Sequence, residues 1–432
     1  MRILLLYGTD GSDIRTVKLC RSLSRQGHEV HFVGWHRLDG AANSLELAPN
    51  RVHVLRWAAS DRVRAVLGQL AFTLFVMRWL IALRPHLVYA ANEDNLLRVA
   101  CGWRWLYGAA VCDLYDGLYE RFSEVRGLPG KLLRGLCQLA RNVADRIVVT
   151  DERRWQLLTP RQQAQAAIVE NSPLDPGEDL ASTAVRGPVR IFVSGSIAAT
   201  RGLATLLAAV QRVPDARIVA AGWLGDELAR TTFQTHPQVE FHGSLTSEES
   251  LRLAAACDIL FAFYVPSNRN QLYASPNKVF DAMSVGRPIV INSEALVSAW
   301  VVEQGLGSRC AYDDDKTLGE ILASLADQRS ALPAFSRRAR ALFVQDYSWE
   351  TMERRLTEVL SGLGLPGVPE KPVGAAEAGP GGGVRADRRH IPGGRWLGQP
   401  HAAGQERAVR RPWDSSCRIP EETCRAPLPP PK

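Results

Sequence analysis

Short apolar runs alternate with helix-period segments along most of the chain, and the alternation occurs twice. Residues 3–7 form a continuous apolar run that ends in Gly8-Thr9-Asp10-Gly11. Residues 16–25 then place Val17, Leu19, Cys20 and Leu23 at helical spacing, and residues 27–34 turn into a second strand. This is the βαβ opening of a doubly wound domain. Strands are expected at 52–55, 84–92, 108–114 and 145–150, with an amphipathic helix over 132–144. The alternation loosens over 175–188, where Pro, Gly, Ser and Asp accumulate as in a linker. It resumes with strands at 189–193, 217–222, 239–243, 258–264 and 289–292. The pattern predicts two α/β domains, each a doubly wound, Rossmann-like parallel sheet.

Residues 63–83 read as one long apolar helix framed by Arg62, Arg64, Arg78 and Arg84. Its charge-free part, 65–77, is shorter than a membrane span requires. Two readings stay open, a helix lying in a membrane interface and a buried domain helix. From residue 366 onward the chemistry changes. That segment holds 12 Pro and 10 Gly with no helical or strand period, so a disordered tail is expected. An altered reading frame would also give such a bias.

Composition narrows the function classes. The formal charge of +7 belongs mostly to the tail, where 11 Lys/Arg face 7 Asp/Glu, leaving +3 for the rest. That balance argues against nucleic acid as a partner. The eight cysteines show no C-x-x-C pair and no spacing of a structural zinc site, and most lie in apolar segments, which suits a reducing, cytoplasmic setting. No signal peptide is apparent after Arg2.

Candidate chemistry concentrates at two places in the second half. Residues 275–290 read as a loop, a short helix begun by Pro276 and closed by Gly286, a block at Pro288, and a buried strand. Backbone N–H groups at such a helix start favour a bound phosphate, and Lys278 adds a full charge there. Asp281 follows one turn on, placed for ribose hydroxyls, while Val279, Phe280 and Met283 form the apolar face. The competing reading is a plain Lys278–Asp281 ion pair on the surface. The second place is 194–203, a loop of small residues containing Gly195 and Ser196, with Arg201 near the start of the next helix. In the first half, Asn92, Glu93, Asp113 and Asp116 lie beyond the carboxyl ends of expected strands, where an acceptor would collect, with capping or loop roles open for Glu93 and Asp113. Arg269 and Asn270 offer further contacts to phosphate or sugar. A dinucleotide enzyme is disfavoured, because the first loop has no G-x-G-x-x-G and no acidic residue ends the second strand.

The run Ser275-Pro276-Asn277-Lys278 with Asp281, followed by Gly286-Arg287-Pro288, resembles the nucleotide-sugar motif of the GT-B glycosyltransferases, in particular the large retaining family 4, group 1. The loop with Gly195 and Arg201 resembles the same family's diphosphate loop. The resemblance implies two domains facing each other across a cleft: 1–175 for the acceptor, a linker at 176–188, and 189–345 for the donor. It also implies a helix at 346–362 crossing back to the first domain, with the tail from 363 to 432 outside the fold. It implies donor binding by Gly195, Ser196, Arg201, Ser275, Pro276, Asn277, Lys278 and Asp281, with Arg201, Lys278 and Asp116 as the catalytic set and no metal or other cofactor. The implied partners are a nucleotide-sugar donor and a glycan or lipid-linked acceptor, with residues 63–84 as a peripheral membrane contact at the inner face. The chain departs from the family at Asp281, where Glu is usual, at Tyr273 and Tyr115, where an acid and a His are common, and at Ser196, where an Arg is often found. A nucleotide-sugar epimerase of the same fold, using Asp281, Glu294 or His242, and a non-catalytic partner protein are the alternatives.

Overall fold

Among the described residues, thirteen strands build two parallel sheets. In the first, β1 (Arg2–Leu6), β2 (Glu29–His36), β3 (Val52–Arg56), β4 (Leu87–Ala91), β5 (Ala109–Leu114), β6 (Arg146–Val149) and β7 (Ala166–Ile168) lie in the order β3-β2-β1-β4-β5-β6-β7. In the second, β8 (Arg190–Ile197), β9 (Arg217–Leu224), β10 (Val239–Phe241), β11 (Ile259–Ala262), β12 (Ile289–Asn292) and β13 (Gly307–Cys310) lie in the order β10-β9-β8-β11-β12-β13. The computed structural model describes residues 1–36, 45–58, 61–100, 104–121, 125–181, 187–213, 215–267, 269–273 and 277–365. Ser275, Pro276, residues 182–186 of the linker and the tail from 366 lie outside the described residues.

The central strands are apolar on both faces because each sheet is covered by helices on both sides. Ile3, Leu4, Leu5 and Leu6 of β1 are all fully buried, alternate residues entering two separate core clusters. Strand order reverses between β1 and β4 and again between β8 and β11. The carboxyl ends at such a reversal leave a crevice, which is where doubly wound sheets bind ligands.

Seven helices matter below: α1 (Ile14–Arg25), α2 (Arg62–Leu83), α3 (Asn92–Ala100), α4 (Gly127–Val143), α5 (Leu203–Val210), α6 (Asn277–Ser284) and α7 (Trp349–Ser361). Their starts follow local chemistry. Asp13, Asp61 and Ser348 cap α1, α2 and α7 by accepting from the backbone N–H three residues on. α6 ends at Gly286, whose φ of +65° suits a residue without a Cβ. A Cβ there would also sit 2.0 Å from Ser336 Oγ.

α7 leaves the second sheet and packs into the core of the first. Trp349, Met352 and Leu356 are buried beside Leu5, Tyr7 and Leu23, and Trp349 Nε1 donates to Ser22 Oγ at 2.9 Å.

Several boundaries differ from the sequence reading. α4 starts five residues earlier than expected, and a short helix, Glu178–Ala181, interrupts the loose segment. β8 runs to Ile197, so Gly195 and Ser196 stand in a strand and not in a loop. The ladder with β9 continues to Ile197 opposite Leu224, with Gly195 opposite Gly222. A Cβ at Gly222 would stand 1.9 Å from the Gly195 carbonyl oxygen, so a glycine at 222 lets the two backbones stay paired.

Candidate active site

A cavity of about 290 Å³ opens between the sheets. The second lobe supplies Ser194 and Gly195 from β8, Gly222 and Trp223 from β9, residues 244–247 after β10, and Asn277, Lys278 and Asp281 from α6. The first lobe supplies Ile14 and Lys18 of α1, and Asn171 and Pro173 line it from the segment leaving β7.

α6 is seated by Val279, Phe280, Ala282 and Met283, each at most 5% exposed. Burying each of the three larger side chains stabilises the helix by roughly 1.5–3 kcal/mol. This leaves Lys278 and Asp281 on the cavity side, half-buried.

The Lys278 ammonium reaches over Gly195, whose φ is +83°, and a Cβ at Gly195 would stand 3.4 Å from Nζ. Burial lowers the Lys278 pKa to about 8; the nearby Arg201 cation acts in the same direction and Asp281 opposes it. Asp281 is raised to about 6 by burial, opposed by Lys278 and Lys18. The surface ion pair weighed as an alternative does not form. Lys278 and Asp281 influence each other through space, yet neither makes an ion pair among the described residues.

Arg201 lies just before α5, in a turn fastened by Ala199 N donating to Asp226 Oδ2 at 2.7 Å and by Gly202 N donating to Tyr312 Oη at 2.9 Å. Its guanidinium stacks on Tyr264, 4.7 Å from the ring centroid, and its buried Nη1 has no hydrogen-bond partner. Arg201 stands beside the cavity and does not line it. Ser196, within the β8–β9 ladder, does not line it either. Two cations thus converge with no carboxylate paired to either among the described residues, an arrangement that favours a polyanion.

The first-lobe candidates divide. Asp113 is buried in a bidentate pair with Arg15, at 2.8 and 2.9 Å, and accepts a third bond from Tyr89 Oη. Glu93 is buried against Arg141 and accepts from Leu118 N. Both brace the lobe and neither faces an acceptor. Asn92, at φ +61°, accepts from Asp116 N, and Asp116 Oδ1 accepts from Asn270 Nδ2 at 2.7 Å. Asn270 in turn accepts from Arg154 Nη2 at 2.9 Å. Asp116 therefore marks a contact between the lobes outside the Lys278 cavity. Arg269 stacks on Tyr273 at 5.6 Å. Glu294 is occupied by Asn292 and Tyr312 N, and His242 by Glu240, so neither supplies an acid or base beside Asp281.

Sequence reasoning missed several cavity residues, Lys18 and Trp223 among them. Lys18 is buried, donates to Asn171 Oδ1 at 3.0 Å and to the Ser172 carbonyl, and stacks over Trp349 at 4.3 Å. Burial lowers its pKa to about 7, the Arg15 cation acts likewise, and Asp281 opposes. The available signal was a lysine between the apolar positions Val17 and Leu19. Trp223, 60% exposed at the rim, carries no sequence signal beyond its place at a strand end.

Residues 188–328 match the family described as glycosyl transferases, group 1. The matched stretch lies within the second lobe. The family resemblance read from Gly195, Arg201, Lys278 and Asp281 is borne out at this level. A comparison with curated protein sequences gave no match. Among solved structures, the chain is similar to a sucrose-phosphate synthase from Thermosynechococcus elongatus, with 15% identity and a TM-score of 0.63 over 84% of this chain and 99% of that one. It is similar to Anabaena HepE, solved in complex with UDP-glucose, with 18% identity and a TM-score of 0.61 over 84% of this chain and 100% of that one. It is also similar to WaaG, a glycosyltransferase involved in lipopolysaccharide biosynthesis, with 12% identity and a TM-score of 0.57 over 83% and 99%. At these identities the likeness is one of fold, and it shows the GT-B arrangement of two facing sheets.

Proposed function

We propose that the protein moves a glycosyl group from a nucleoside diphosphate sugar to a glycan or lipid-linked acceptor at the first lobe, with retention and without a metal ion, in the cytoplasm. The observation that carries this reading is the Lys278 ammonium held over Gly195 at the start of α6, with the Arg201 charge beside it. The anomeric carbon–oxygen bond breaks and the diphosphate leaves with the electron pair. A bond to the acceptor oxygen forms, and the acceptor proton departs with the leaving group. Fixed positive charge on the diphosphate oxygens is the largest contribution such a site can make. Asp281 is placed to take the ribose hydroxyls one turn along α6, and Trp223 at the rim offers a flat apolar face to the base. Asp116 belongs to the acceptor side of this reading. Among the described residues no three His, Cys, Asp or Glu side chains gather as a metal ion would require. HepE, with its bound UDP-glucose, supports a uridine nucleotide as the first ligand to try.

The test is a thermal-shift panel with UDP, GDP and ADP, followed by turnover with the stabilising nucleotide's sugars and NMR of the product anomer. A melting-temperature rise with one nucleotide is expected, because a ligand that binds only the folded state stabilises it. Lys278→Met is expected to reduce that rise without removing it and to lower turnover by about 10²–10³-fold. Near-normal turnover in that variant would remove the assignment.

A further inference from the structure

Large apolar side chains are unevenly spread over the first lobe's surface. Among the described residues nineteen are exposed, and α2 carries six of them while α4 carries five. On α2 they include Val66, Leu70 and Leu74, opposite an inward row of Phe72, Val76 and Leu80 that is fully buried. On α4 Leu128, Leu132 and Leu136 recur every fourth residue and form one stripe. The two helices flank α3. Arg98 of α3 donates to Thr73 Oγ1 of α2 at 2.7 Å, and Glu93 of α3 pairs with Arg141 of α4. Both stripes therefore belong to one side of the lobe.

Charge identifies what such a face would meet. Neither α2 nor α4 contains an Asp or Glu, while Arg64 and Arg78 border the first stripe and Lys131 and Arg134 the second. The carboxylates that touch these helices are already engaged: Asp61 caps α2 and pairs with Arg64, and the buried Glu93 pairs with Arg141. A second copy docking through the same face would set cations against cations. The segment after residue 365 is itself net basic, with 11 Lys/Arg to 7 Asp/Glu, and is no better complement.

α2 is long and apolar enough to cross a bilayer by length and composition alone. Its inward row is locked in the lobe's core, so spanning would unfold the sheet's cover. A helix with one face in a protein core and the other apolar with basic borders fits the plane of a membrane interface.

We propose that α2 and α4 together form a docking surface for an anionic phospholipid bilayer, with the leucine stripes at the acyl boundary and the bordering cations at the headgroups. The surface extends the 63–84 helix to a two-helix platform and is independent of the donor site.

The test is co-flotation of the full chain with phosphatidylcholine vesicles, with and without phosphatidylglycerol. Binding to the anionic vesicles that falls with added salt is expected. The double variants Leu70→Glu/Leu74→Glu on α2 and Leu132→Glu/Leu136→Glu on α4 should each weaken it by about tenfold or more. All four positions are exposed, so an unchanged melting temperature and nucleotide-induced shift serve as the folding control. These also separate failure of this proposal from failure of the donor site. Equal binding to neutral vesicles, loss through the α2 pair only, or concentration-dependent self-association without vesicle binding would each overturn it.

Discussion

Lys278 and Asp281 sit one turn apart on a single helix and face the same cavity without pairing, so each keeps its capacity for a ligand. Holding Lys278 in this position costs stability. Its pKa in the folded chain is about 8 against an ordinary 10.5, so the unfolded chain holds the proton more tightly and stability rises with pH between these values. Asp281 has the opposite shift, about 6 against 3.8, and its contribution to stability falls as pH rises through that interval. Lys278→Met is therefore expected to melt higher than the parent at pH 7, about a unit below the Lys278 pKa, measured without nucleotide. A lower melting temperature would mean that the ammonium stabilises the free protein. Nucleotide affinity should follow the charged forms of both groups. It is expected to decline above about pH 8 as Lys278 loses its proton and below about pH 6 as Asp281 gains one. Lys18, at about 7, titrates within that window. Calorimetric titration of nucleotide across pH checks both limbs, and the upper limb should vanish in Lys278→Met.

Whole elements carry the positions of these groups, and here the sequence was unequally informative. The apolar runs of β1, β8 and β12 and the Pro276–Gly286 punctuation of α6 are local signals, and they led directly to two parallel sheets and to Lys278 and Asp281. The extension of β8 through Gly195 was hidden, because a glycine and two serines read as a loop until β9 is there to pair with them. Lys18 was hidden for a related reason. Nothing near it in sequence shows that Trp349, more than three hundred residues later, returns to cover it. Shorter separations in sequence concealed the partners of Asp113 and Glu93 as well, whose arginines arrive from other elements. The α7 contact is open to a direct test. Trp349 is 1% exposed and bonded to Ser22, so Trp349→Ala should destabilise the fold by about 3–5 kcal/mol. Denaturant unfolding measures this, and a loss under about 1 kcal/mol would show that α7 is dispensable to the first lobe's core.

At the scale of the molecule, the contacts between the lobes include two of different kinds beside the packing of α7. One is the passage of chain through Asn171 and Pro173, where Trp349 N donates to the Pro173 carbonyl at 3.0 Å. The other is the side-chain relay Asp116–Asn270–Arg154. Asn270→Ala removes both bonds of that relay and leaves the backbone passage intact. The free protein should then scatter X-rays with a larger radius of gyration, and saturating nucleotide should restore the smaller one. An identical scattering curve for variant and parent would show that the relay does not hold the lobes together.

The cavity wall is shared, with Lys18 on one side and Lys278 and Asp281 on the other. On the proposed reading, a nucleotide lodged there would act as mortar between two bricks. Prising the bricks apart would strip one side of its grip, so departure of the spent diphosphate and parting of the halves would become a single event, whose pace would set how soon the next donor could enter.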